Sequence, residues 1–331
     1  MLVLVQSGDY MREGLKLFTH DGVFHADEVF ATALFTLYSE NITVTRGSDQ
    51  DIPEGDDWIV FDIGGGILDH HTPENKRNNG FHPDTEIPYA SCGLVWHRYY
   101  RPILKAQKCP PAYYDYVYRR VEKTLIIGID AFDNGINPLS LAIDHTPSLS
   151  EEEKKKLVYE SSYGFTVSQM IKDFNPTWNS DFNVNDAFRD AVSFARDILL
   201  NRLDSIISQL DARDYVSDCI AYSSHHIMIM DRFAPWENLV SGHPHDPKAA
   251  DIWFVVYPAM RGGWNVQCAL NDVNDRTSFR KAMPARWYGL RNEELQQATG
   301  IAAARFCHIS GFLAGCDTEE DALALAALAS R

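Results

Sequence analysis

The sequence lacks paired cysteines. Its six (Cys92, Cys109, Cys219, Cys268, Cys307 and Cys316) show no C-x-x-C spacing. That excludes a zinc knuckle or a thioredoxin-like motif and gives no sign of a disulfide framework. A reducing, cytoplasmic setting is the expectation. The chain also lacks any apolar run near the roughly 20 residues that span a bilayer, so no membrane partner is expected. Its opening, MLVLVQSGDYMREG, has no basic stretch and no extended apolar core. It reads as neither signal nor transit peptide, but as a first strand or an extension before an alternative start at Met11. Positive charge is scarce as well: 30 Lys and Arg against 46 Asp and Glu leave a net charge of −16. A protein that tracks duplex DNA carries a basic face. Here a polyanion needs a local basic patch, or cations held in a carboxylate-rich pocket, and the composition favours the second. Internal repeats and low-complexity tracts are missing too.

What is present is a globular composition, 45% hydrophobic and 23% charged over 331 residues, enough for one large domain or two. Leu15 to Thr19 reads as a buried strand, Ala26 to Tyr38 as a helix with Asp27 and Glu28 in its first turn, Ile42 to Thr45 as a strand and Asp57 to Ile63 as another. This is the grammar of a parallel α/β sheet. Thr72 to Pro88 reads as a loop. Helices are expected at Ser91 to Tyr100, Pro111 to Phe132, from Ser150 (an N-cap with Glu153 at the capping-box position) and at Phe188 to Leu210. From Tyr215 the pattern changes. Strands at Ile227 to Met230, Ile252 to Tyr257, Trp264 to Leu270 and Arg305 to Phe312, with a closing helix at Glu319 to Leu328, predict a separate α+β domain. The expected division is 1–214 and 215–331.

Four clusters carry chemistry. THDGVFHADE supplies His20, Asp21, His25, Asp27 and Glu28 within nine positions. Asp62 ends the third strand before three glycines; Asp69-His70-His71 follows; Asp130 and Asp133 close a helix. A lone His or Asp is ordinarily a solvated or capping residue, and Asp27 and Glu28 alone suit a helix start. Four such groups at element ends are harder to dismiss. Ligands of open α/β sheets bind beyond the carboxyl ends of the strands, where His20, Asp62 and the Asp69-His70-His71 group would meet. Imidazoles and carboxylates without thiolates suit Mn²⁺ best, with Mg²⁺, Co²⁺ or Zn²⁺ as alternatives. Two cations about 3.5–4 Å apart need a bridging carboxylate; Asp62 fits, its glycines leaving room for close approach.

These residues resemble the DHH phosphoesterases, and more closely the melanocyte-proliferating-gene-1 family of metal-dependent 3′→5′ exonucleases, in its bacterial-like branch. The resemblance runs through THDGVFHADE, DIGGG with DHH, PYASCGLVW, IDAFDNG, FNPTW, WYGLRNEEL and CHISGFLAG, in order along nearly the whole chain. It implies a parallel-sheet DHH-type N-terminal domain with a smaller α+β substrate-binding C-terminal domain. It further implies His20, His25 and Asp27 as metal ligands, Asp62 as the bridge and His70 as a ligand of the second metal. Asp130 comes before Asp133 as the last carboxylate, although spacing alone does not separate them. Asp69 would orient a histidine, and His71 would face the substrate phosphate. Arg46 and Arg77 would stabilise phosphoryl charge, and His308, Ser310 and Gly311 would bind substrate.

The implied activity is phosphodiester hydrolysis by a water activated between two divalent cations, acting on single-stranded RNA or DNA. Trp264, Trp287 and Tyr288 are candidate base-stacking residues. Other outcomes to separate by experiment are a small-nucleotide phosphoesterase (oligonucleotide, cyclic dinucleotide or pyrophosphate), a metal-dependent amide hydrolase, and a non-catalytic metal-binding protein. A homodimer is left open.

Overall fold

A computed structural model describes residues 14–137, 143, 148–160, 166–242 and 246–331. The expected first strand at the extreme N-terminus, and the choice between Met1 and Met11, lie outside the described residues. The chain divides into two compact units, Met1–Ile207 and Ser208–Arg331.

The first unit is built on three parallel strands in the order β2-β1-β3: β1 (Leu15–His20), β2 (Ile42–Gly47) and β3 (Trp58–Val60). The central strand buries Leu15, Leu17, Phe18 and Thr19. It shows no clean alternation because both of its faces are covered, as in other parallel sheets. Helix α1 (Ala26–Tyr38) makes the crossover from β1 to β2 and has eleven of its 13 residues buried, the mark of a helix packed on several sides. The third strand is shorter than the expected Asp57 to Ile63. Phe61 N–H still donates to Phe18 O (3.1 Å), but Asp62 then turns into the left-handed region (φ 59°) and leaves the ladder.

The segment Thr72 to Pro88 is not all loop. Thr72 accepts from Asn75 N–H and caps a short helix, α2 (Pro73–Asn78), with Pro73 at its first position. Such a helix has no apolar stripe to announce it; its signature is the cap followed by proline. Helix α3 (Ser91–Ala106) continues past the expected end at Tyr100, through Pro102, because Ile103 and Leu104 are fully buried beyond it. The expected single helix from Pro111 to Phe132 is four pieces: a 3-10 turn at Pro111–Tyr113, α4 (Tyr114–Val121), a π-helical turn at Glu122–Ile126, and α5 (Ile127–Asp133). The extra residue per turn carries Glu122 inward, where it is buried. Helix α6 (Glu151–Glu160) begins at the Ser150–Glu153 capping box: Ser150 N–H donates to the Glu153 carboxylate (2.9 Å) and Glu153 N–H returns to Ser150 Oγ (3.3 Å). Helices α7 (Val167–Lys172) and α8 (Val184–Asp211) follow.

The second unit holds a five-stranded mixed sheet in the order β4-β5-β6-β8-β7: β4 (Ile227–Ile229), β5 (Phe254–Pro258), β6 (Trp264–Cys268), β7 (Ala304–Cys307) and β8 (Leu313–Cys316). Only β4 and β5 run parallel. Alternate residues of β5 point to opposite cores. Phe254 and Val256 pack with Trp287, Leu295 and the closing helix α9 (Glu319–Ala329); Val255 and Tyr257 pack with Val216, Met228 and Trp236. The expected strand Arg305 to Phe312 is a hairpin instead: His308 N–H donates to Leu313 O (2.8 Å) and Gly311 N–H to His308 O (2.8 Å). Gly311 has φ 65°, and a Cβ there would lie 2.1 Å from the Tyr288 ring, so only glycine lets this turn close. All six cysteines are free, and among the described residues no helix is long and apolar enough to cross a membrane.

Candidate metal centre

Because the three strands of the first unit are parallel, β1 and β3 deliver His20 and Asp62 to the same edge. His20 Nδ1 donates to the Asp21 carbonyl (2.8 Å), which can only accept. Its Nε2 therefore faces the Glu28 carboxylate (3.1 Å) and Asp62 Oδ2 (3.4 Å). Glu28 is fully buried and also accepts from His25 N–H (2.9 Å). His25 is exposed, and its ring lies 6.1 Å from that of His20. His20, His25 and Glu28 form one group able to hold a cation.

On the other side of Asp62 stand the two tandem histidines. His70 is buried; its Nδ1 lies 3.5 Å from Asp62 Oδ1 and its Nε2 2.8 Å from Asp133 Oδ2. His71 Nδ1 is also 3.5 Å from Asp62 Oδ1. Asp62 thus reaches His20, His70 and His71 at once. Asp69 stands beside that meeting point, and Asp62, Asp69, His70 and His71 form a further group able to hold a cation. The Asp69 carboxylate accepts from Gly65 N–H (2.7 Å), His71 N–H (2.9 Å) and the His71 ring (2.9 Å). Burial opposes its charge, but these hydrogen bonds hold its carboxyl down to about 2. The glycines after Asp62 serve this turn rather than clearing space at Asp62: Gly65 supplies an N–H to Asp69, and Gly64 lies against Ile52.

Behind the histidines, the N-terminus of α3 makes the buried acids tolerable. A helix start leaves four N–H groups without partners. Here Asp27 accepts from Ser91 N–H (2.9 Å) and Cys92 N–H (2.6 Å), and Asp130 accepts from Ala90 N–H (2.9 Å) and Gly93 N–H (3.1 Å). The positive end of the helix dipole adds to this. Gly93 is required by the approach, because a Cβ would fall 2.0 Å from Asp130 Oδ2. Asp130 also takes His82 Nε2 (2.9 Å), whose Nδ1 pairs with Glu122 (3.1 Å). A carboxylate on each nitrogen favours the protonated ring. Burial works against that charge, but Asp130 and Glu122 outweigh it and raise the His82 pKa.

The two aspartates of the IDAFDNG segment therefore differ. Asp130 is saturated by backbone and His82, whereas Asp133, partly accessible, faces His70 Nε2. Ser91, His82, Glu122 and Glu28 take part without having been assigned from sequence. Glu28 stood inside the first cluster. Ser91 and His82 offered no spacing signal, and Glu122 is brought in by the π-helical turn.

The donor set fits divalent cations on its electrostatics. Burial, then repulsion from Asp62, Asp133 and Asp130, pushes Asp27 well above the usual carboxylate range, and burial raises Glu28. His20, although burial opposes it, is lifted to about 11 by Asp62 and Glu28. The pocket thus gathers protons to offset negative charge that a bound cation would neutralise. Cys92, near Asp27 and Asp130, is no rival ligand: burial and the surrounding carboxylates drive its thiol far up and keep it protonated.

The residues expected to meet substrate differ in their surroundings. Arg46 donates to the carbonyls of His20 (3.1 Å) and Gly22 (3.0 Å) and stacks on Phe188 (4.4 Å). Arg77 is exposed on α2. His308 and Ser310 are exposed in the β7–β8 turn, where Ser310 N–H donates to His308 Nδ1 (3.1 Å), and Gly311 is buried. Trp287 is fully buried and offers no face to a base; Trp264 and Tyr288 pack partly buried against the same core.

A parallel sheet whose strand ends gather histidines and carboxylates into groups able to hold metal is the class of protein seen here. The profile of MYG1_exonuc, described as Uncharacterised protein family (UPF0160), matches residues 16–329, and the chain belongs to that family. It is 30% identical over 335 residues to the MYG1 exonuclease of Rattus norvegicus, covering 94% of this chain and 83% of the relative. The MYG1 exonuclease of Homo sapiens is 29% identical over 338 residues, with 94% and 84% covered. The MYG1 protein of Dictyostelium discoideum is 28% identical over 331 residues, with 94% and 95% covered. No solved structure gives a significant match.

Proposed function

We propose that this protein is a metal-dependent phosphodiester hydrolase of the DHH type that removes nucleotides from the 3′ ends of single-stranded RNA or DNA. The observation that carries the reading is Asp62, a buried carboxylate within 3.5 Å of nitrogens from His20, His70 and His71. One of its oxygens faces His20 and the other faces the tandem histidines, the disposition a bridging ligand needs. Relatives named exonucleases, matched over nearly the whole chain, supply the reaction class.

Glu28, His20 and His25 would hold one cation, and Asp27, His70 and Asp133 the other, with Asp62 shared. Asp133 takes precedence over Asp130, whose oxygens are already committed. Mn²⁺ is the expected ion, from the mixed imidazole and carboxylate donors. When bound, such cations supply Lewis acidity and render a water acidic enough to ionise near neutral pH.

The chain's own residues do the rest. Asp69, held as an anion, fixes His71 through Nδ1 (2.9 Å). That contact first, and the neighbouring Asp62 charge, raise the His71 pKa against its partial burial. A protonated His71 presents Nε2–H outward to a phosphoryl oxygen and stabilises charge building there. The exposed His308 and Ser310 are proposed to meet the substrate. A second reading, a phosphoesterase of short nucleotides, is favoured by the burial of Trp287, which removes one stacking surface expected for a polymer.

Digestion of end-labelled RNA and DNA oligonucleotides with Mn²⁺, the products resolved by length, tests both readings. A ladder shortening from the 3′ end, lost in Asp62→Ala, is expected. Cleavage confined to dinucleotides selects the second reading. Turnover by Asp62→Ala equal to the unaltered protein, in Mn²⁺-supplemented buffer, sinks both.

A further inference from the structure

The loop from Asp21 to His25 has to aim two histidines at one place while the chain leaves a strand and enters a helix. Groups from outside the loop hold its backbone. Asp21 N–H donates to Gly47 O (3.0 Å), and Arg46 donates to the carbonyls of His20 and Gly22. The last hold is at Phe24, the residue next to His25. Asn175, in the FNPTW segment after α7 and 151 positions away, accepts from Phe24 N–H (3.0 Å) and donates through Nδ2 to Phe24 O (2.9 Å). The other Nδ2 proton reaches Lys172 O (3.2 Å). Oδ1 is engaged and both amide protons are used.

This amide does for Phe24 what a neighbouring strand does for a ladder residue, satisfying N–H and C=O together. Phe24 is itself fully buried and meets Phe188 edge-on (5.5 Å), so its polar backbone groups need partners inside the protein. Few side chains can replace asparagine here. An aspartate keeps the acceptor but has no proton for the carbonyl, and an alanine offers neither.

We propose that Asn175 is a positioning residue for the metal-binding loop. Its clasp on Phe24 fixes the backbone that leads into His25, so that His20 and His25 converge before any cation arrives. The idea rests on the metal-dependent reading above. A preformed pair spares the ordering cost that a loose loop would meet on binding. Removing a residue that orients a ligand typically weakens metal binding by about 10–100-fold.

Two measurements on the full chain separate this inference from the reading beneath it. The first is amide hydrogen exchange across residues 20–25 in metal-free protein. Asn175→Ala should release the Phe24 amide, and Asn175→Asp, which keeps the acceptor, should release it less. Unchanged protection in Asn175→Ala overturns the clasp. The second is calorimetric titration with Mn²⁺. Asn175→Ala should bind about 10-fold more weakly or worse, with Asn175→Asp between it and the unaltered protein, and the lost hydrolysis should return at high Mn²⁺. Equal Mn²⁺ affinity in all three proteins overturns the positioning role. Should the unaltered protein take up no Mn²⁺, the metal-dependent reading and the positioning role fall together, and the exchange data decide the clasp alone. If Asn175→Ala does not fold, Asn175→Asp carries both measurements.

Discussion

In the first unit Asp27, Glu28, Asp62, Asp69, His70, His82, Glu122 and Asp130 are all buried. In the second, Ser241 is the one buried polar side chain among the described residues. The second unit is an ordinary two-sided sheet, with Trp287 filling one core and Trp236 the other. Burying an ionised carboxylate without partners is expensive. The first unit meets that cost unequally. Asp69 and Asp130 are satisfied by backbone N–H groups, whereas Glu28, Asp62 and Asp133 are turned toward histidines; Asp27 does both, accepting two N–H groups and lying 3.7 Å from His70 Nδ1. The contrast separates acids that hold the fold from acids open to a ligand.

The largest expected effect is at Asp62. Asp62→Ala should abolish Mn²⁺-dependent hydrolysis with the far-ultraviolet dichroism unchanged; residual turnover above background would break the division. Next, Asp130→Ala should cost about 3–5 kcal/mol in chemical denaturation, because it leaves His82 charged and two N–H groups bare. Asp133→Ala should cost far less stability and instead weaken Mn²⁺ binding. Equal denaturation midpoints for the two variants would erase the distinction between them. Trp287→Ala should also lose about 3–5 kcal/mol, but with Mn²⁺ affinity unaltered, since its core holds none of the acids. The smallest effect is at Ser91, whose hydroxyl donates to Asp62 (3.0 Å) and lies 3.2 Å from His70 Nδ1. Ser91→Ala should leave the protein folded and reduce Mn²⁺ affinity about 10-fold, read by calorimetry.

Much of this was legible in the chain. The parallel strands announced themselves by β-branched and apolar runs, and the α6 capping box by Ser150 and Glu153. The clusters around His20, Asp62 and His70 followed from their places after strands. Other features carried no local signal. Helix α2 is polar all round, and the π-helical turn that carries Glu122 to His82 shifts the periodicity without altering composition. The hairpin at His308 looked like one strand because Phe306 and Phe312 flank a short polar turn. Arg46 was read as a phosphate contact from its charge; its neighbours make it a strap on the loop of His20.

By itself the sequence determined which residue types gather after which strands, because strand period, helix caps and the C-terminal edge of a parallel sheet are local rules. It could not separate Asp130 from Asp133, three positions apart on one helix. Tertiary structure gives them different surroundings, bringing the Ala90 and Gly93 N–H groups and the His82 ring to Asp130 and leaving Asp133 to face His70. The same packing set Asn175 against Phe24 from 151 positions away. Hydrogen-bond partners are fixed by proximity in space, and proximity at that separation belongs to the folded chain alone.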